Sequence, residues 1–114
     1  SKFKGVQGVV YLRYAPPEQF AVPAKLDARS DLYSLGATLY HMITGRPPFV
    51  ADSAQDTINK ICSEEPVPPA QVLPEIPKPV SDLVIRLLAK APSARYPSAA
   101  DLLKDLEQVA PWDE

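Results

Sequence analysis

The sequence predicts a mainly α fold with an extended segment at its N-terminal end. Three observations carry that prediction. Several stretches place apolar residues at helical spacing behind side chains suited to helix caps. One of these stretches is apolar around most of its circumference and so asks for burial on nearly every side. Fourteen prolines against four glycines punctuate the chain with rigid turns, which leaves short helices between them.

The elements follow in order. Residues 1–14 read as extended, because Val6, Val9, Val10, Tyr11, Leu12 and Tyr14 are β-formers interrupted by Gly5 and Gly8. Pro16-Pro17-Glu18-Gln19-Phe20 suits a single helical turn, with proline early, where no N–H is missed. Residues 21–29 read as a loop. Ser30 is then the expected N-cap of a helix over residues 31–44, which Gly45, Pro47 and Pro48 terminate. Positions 32, 33, 35, 36, 37, 39, 40, 42 and 43 of this helix are apolar, aromatic or glycine. A second helix is predicted from about 53 to 63, with Ile58, Ile61 and Cys62 on one face and Cys62 in the core. The stretch 64–79 holds six prolines, at 66, 68, 69, 74, 77 and 79, and reads as a long ordered loop. A third helix, about 80–90, aligns Val80, Leu83, Val84, Leu87 and Leu88 at i, i+3, i+4, i+7 and i+8. A fourth starts near Ser98, with Asp101 three residues on as in a capping box, and carries the stripe Ala99, Leu102, Leu103, Leu106 and Val109.

Composition narrows the function classes. A length of 114 residues fits one domain. A net charge of -2 supplies no field of one sign for nucleic acid or an anionic membrane. No apolar run approaches the roughly 18 residues that a membrane helix needs, and Ser1-Lys2-Phe3-Lys4-Gly5 leads into no signal-peptide core. One cysteine excludes an internal disulfide and a cysteine-based zinc site, and one histidine, His41, weakens any histidine-metal or histidine-base scheme. His41 reads as a packed or half-exposed helix residue. Three amphipathic helices can barely wrap a central apolar one, so the chain is expected to be part of something larger.

Three groups of residues carry a resemblance. They are Tyr14-Ala15-Pro16-Pro17-Glu18-Gln19; then Asp27 through Gly36, with Leu39-Tyr40 and Thr44-Gly45-Arg46-Pro47-Pro48-Phe49; and Ala91-Pro92-Ser93-Ala94-Arg95-Tyr96. In that order and spacing the chain resembles the C-terminal half of a bacterial-type (Hanks-type) serine/threonine protein kinase, over residues 5–108. The resemblance implies that Pro16-Pro17-Glu18 matches the Ala-Pro-Glu closing the activation segment. It implies helix F at 31–44, helix G at 53–63, helix H at 80–90 and helix I at 98–109. Residues 1–29 are then the end of the activation segment, and 30–114 the helical subdomain of the large lobe.

The same resemblance assigns structural roles. It joins Glu18 to Arg95 by a buried ion pair, for which the planar guanidinium fork is suited. It gives Asp31, at the start of helix F, the backbone N–H groups of a catalytic loop; without that loop Asp31 reads as an acid favourable at a helix N-terminus. Gly36 belongs to the same motif. Val10, Tyr11, Leu12, Arg13 and Tyr14 are the expected floor of the peptide groove. The family's Gly-Thr shortly before this tyrosine is replaced by valine and tyrosine types, and no Ser or Thr occurs between residues 2 and 29. Ala91 stands where the family often has Asp or Asn, and Tyr33 where tryptophan is common.

The chain contains no Gly-x-Gly-x-x-Gly, no lysine in a Val-Ala-x-Lys context and no His-Arg-Asp. No catalytic, metal-binding or cofactor-binding residue is therefore expected here, while ATP and magnesium are implied for the whole protein. The expected function is the C-terminal part of a kinase that transfers a phosphoryl group from MgATP to protein Ser or Thr, with this part scaffolding and docking the substrate. The alternative is a non-catalytic pseudokinase remnant or interaction module. Expected partners are the protein substrate, the N-terminal kinase portion and, for the isolated chain, a second copy of itself; expected location is cytoplasmic, with a membrane anchor elsewhere in the whole protein left open. The assembly surface is expected to involve residues 1–14 and the face of Leu32, Leu35, Leu39 and Met42.

Overall fold

A computed structural model describes residues 12–109. Its elements are a 3-10 turn Pro17–Phe20, helix α1 Ala28–Thr44, helix α2 Ala54–Ser63, the single turn α3 Pro69–Val72, helix α4 Lys78–Leu87, a 3-10 turn Pro92–Ala94 and helix α5 Ala99–Val109. Among the described residues there is no strand.

The extended reading fails where it can be compared. Leu12, Arg13 and Tyr14 form a turn in which the Ala15 N–H donates to the Leu12 carbonyl at 3.2 Å. Pro16 then holds the chain extended, and Pro17 opens the 3-10 turn. The remainder of that segment, including Val10 and Tyr11, lies outside the described residues.

Helix α1 starts three residues before the expected position. Asp27, not Ser30, is the N-cap: its carboxylate accepts the Arg29 N–H at 2.8 Å, and its own N–H donates to Ser30 Oγ at 3.3 Å. Asp27 and Ser30 thus form a reciprocal capping box, and Ser30 is its N3 member. At the other end Gly45 takes φ +83°, where a β-carbon would be strained, and its N–H closes the helix onto the His41 carbonyl at 2.9 Å.

Ser53 caps α2 by accepting the Asp56 N–H at 3.1 Å. Thr57 and Ile61 are buried, whereas Cys62 is exposed, which corrects its assignment to the core. A helix of ten residues turns only a narrow face inward, and Cys62 lies about 100° round from Ile61. The proline-rich stretch is not loop throughout, because Pro69 at a helix start costs no hydrogen bond and allows the turn α3. Helix α4 likewise begins at Lys78 with Pro79 in its first turn, and it ends at Leu87. The Ser98 hydroxyl accepts the Asp101 N–H at 3.3 Å and donates to the Asp101 carboxylate at 2.7 Å, at the start of α5.

One core joins these helices. Leu32, Tyr33, Ala37 and Tyr40 of α1 meet Leu83, Val84 and Leu87 of α4, with Leu88, Tyr96 and Leu102 completing the cluster. Each large apolar side chain buried this way stabilises by about 1.5–3 kcal/mol. Gly36 allows a close approach, since an added β-carbon there would stand 2.6 Å from Leu87 Cβ. The all-round apolar character of α1 is only half used. Leu32 is buried and Leu39 half-buried, but Leu35 is 42% and Met42 74% exposed.

Candidate functional site

The fold brings three distant segments together on one carboxylate. Pro17 fixes the 3-10 turn that presents Glu18, the capping box of α1 presents Ser30, and the 3-10 turn Pro92–Ala94 ends on Arg95. Arg95 Nη1 donates to Glu18 Oε2 at 2.7 Å and Nη2 to Oε1 at 2.9 Å, a bidentate pair across 77 residues of sequence. Ser30 Oγ donates to the same Oε2 at 2.7 Å. The remaining guanidinium N–H groups reach carbonyls: Nε to Ala89 at 2.8 Å, Nη1 to Arg29 at 3.1 Å and Nη2 to Lys90 at 3.2 Å. All five donors of Arg95 are therefore used, and its guanidinium carbon lies 4.9 Å from the centre of the Tyr33 ring.

Burial is deep on the cationic side. The Arg95 side chain is fully covered and that of Glu18 is 12% exposed. Burial pushes the Glu18 carboxyl up, but hydrogen bonds from Arg95 and Ser30, with the Arg95 charge, outweigh it and hold the group below its ordinary value. A carboxylate so engaged is not free to move a proton, and a guanidinium with every donor committed cannot grip a second anion. The arrangement is a clasp, tying the 3-10 turn, the start of α1 and the loop before α5.

The other residues singled out from sequence lie elsewhere. Asp31 is exposed in the first turn of α1. Gly36 is buried against Leu87, away from the clasp. Leu12, Arg13 and Tyr14 are half-buried in the turn before the prolines. Tyr14 is tied to α1: its hydroxyl is 2.7 Å from His41 Nδ1, and the two rings stack at 6.0 Å with 15° between planes.

Two features had no signal in sequence beyond residue type. The Tyr14–His41 pair spans 27 positions. Lys90 Nζ is buried without a hydrogen-bond partner among the described residues and lies 4.2 Å from the centre of the Phe49 ring. Burial holds this amine below its ordinary pKa, against the opposing charges of Glu65 and Glu64. Ser30 could have been found, since Asp27-x-x-Ser30 has the spacing of a reciprocal cap.

Glycines occur only at 5, 8, 36 and 45, a spacing that cannot form a phosphate-covering loop. Among the described residues no three His, Cys, Asp or Glu side chains stand close enough to share a metal ion. No helix among them is long and apolar enough to cross a membrane.

Comparison with known proteins agrees with the motif geometry. The family described as protein kinase domain matches residues 4–106. The serine/threonine-protein kinase PknB of Mycobacterium leprae is 42% identical over 97 residues, which cover 85% of this chain and 15% of that protein. The probable serine/threonine-protein kinase SCO3848 of Streptomyces coelicolor is 43% identical over 95 residues, 83% of this chain and 14% of that one. The probable serine/threonine-protein kinase CPE1738 of Clostridium perfringens is 40% identical over 96 residues, with 84% and 14% covered. The chain thus spans about 15% of the length of the curated relatives it matches.

Proposed function

Because the chain belongs to the protein kinase family, we propose that it is the helical C-terminal subdomain of the large lobe of a bacterial-type serine/threonine kinase. Residues 1–29 are the end of the activation segment in this reading, and 30–114 the subdomain with helices F to I. The whole protein transfers the γ-phosphoryl group of MgATP to Ser or Thr of a protein substrate in the cytoplasm. This chain contributes the scaffold and the docking surface; the nucleotide and magnesium are held by parts it does not contain. The observation that carries the reading is the bidentate clasp of Arg95 on Glu18, built from motif residues near both ends of the matched region.

The kinase portion preceding this one is the proposed partner of the open side of α1, where Leu35 and Met42 are exposed. In the isolated chain a second copy takes that place. Residues 10–14, with Tyr14 anchored on His41, supply the floor of the peptide groove, and α2 with its flanking loops the outer docking surface. The named relatives are kinases, which does not favour the non-catalytic alternative.

Calorimetric titration of this chain with MgATP tests the division of labour. No saturable heat is expected in the micromolar range, since the chain lacks the lysine and metal ligands that kinase affinity needs. The same residues joined to the preceding kinase portion are expected to phosphorylate Ser or Thr of a protein. Saturable binding by the chain alone, or an inactive joined protein, would refute the reading.

A further inference from the structure

No further inference is drawn: the strongest candidate, the shallow groove between the Val50–Asp52 loop and α2, rimmed by Asp52, Asp56 and Glu64, is an acidic cluster with no second observation that points to a ligand.

Discussion

Replacing Arg95 with alanine removes all five guanidinium donors of the clasp at once. Glu18 keeps only the Ser30 hydroxyl, and the carbonyls of Ala89, Lys90 and Arg29 each lose a partner in a region that water reaches poorly. Breaking one side of a buried ion pair costs about 3–5 kcal/mol, because the other charge is left uncompensated. A domain of this size has a total stability of about 5–15 kcal/mol. With about 4–8 °C of midpoint per kcal/mol in a domain near 100 residues, the midpoint of Arg95→Ala falls by at least about 12 °C. At the upper end the protein is unfolded at room temperature. Thermal melts followed by circular dichroism at 222 nm, at neutral pH, read this directly. Arg95→Lys serves as the comparison: it keeps the charge but loses the fork and two of the five donors, so it falls between the two. A midpoint for Arg95→Ala within about 2 °C of the unsubstituted protein would refute the argument that the pair is buried and satisfied as described.

Acid should weaken the same clasp. Glu18 has a folded pKa below its ordinary value, so its contribution is fully present above the unfolded carboxyl pKa of about 4.3 and is lost as pH falls through the lower folded value. Urea midpoints measured from pH 7 to 3 should therefore drop in the acid range, and the drop should be smaller in Glu18→Gln; equal slopes would count against it. Gly36→Ala should destabilise by about 1–3 kcal/mol through overpacking against Leu87, despite a gain of about 1 kcal/mol in helix propensity; a raised melting midpoint would overturn the close approach. Light scattering should give a mass above 12.5 kDa for the isolated chain, and Leu35→Lys with Met42→Glu should return it to that value, because both side chains lie on the open face of α1. A mass fixed at the monomer value up to high micromolar concentration would dispose of that assembly.

The parts of the fold legible in sequence are those where one residue type at one spacing has a single physical outcome. Ser53 and Ser98 each precede a periodic apolar stretch, and both cap a helix. Leu83, Val84 and Leu87 share a stripe and share the core. The start of α1 was misread because two capping side chains stand three residues apart, and Ser30 immediately precedes the apolar run. Reciprocal hydrogen bonding decides between them: a serine at N3 can return a bond to the backbone of an aspartate cap, so the helix gains a turn. Cys62 was misplaced for a different reason. Periodicity gives the centre of a buried face and not its width, and the width depends on what packs there, which for α2 extends to Thr57 and Ile61 only.

The clasp shows where spacing stops being informative. Glu18 and Arg95 could be paired from sequence only through resemblance, since 77 residues separate them and no local rule links a 3-10 turn to the loop before α5. Ser30 enters because the helix begins early: were it the N-cap, its hydroxyl would turn to the backbone of its own first turn. As an N3 residue it instead accepts from the Asp27 N–H and donates to Glu18. One hydroxyl thereby couples the capping of α1 to the ion pair that anchors the 3-10 turn Pro17–Phe20. Loss of the Ser30 hydroxyl and loss of Arg95 should accordingly act on one cooperative unit, so their effects on stability should not add. The double variant Ser30→Ala with Arg95→Lys measures this: a summed loss within about 0.3 kcal/mol of the two single losses would mean that cap and clasp are independent.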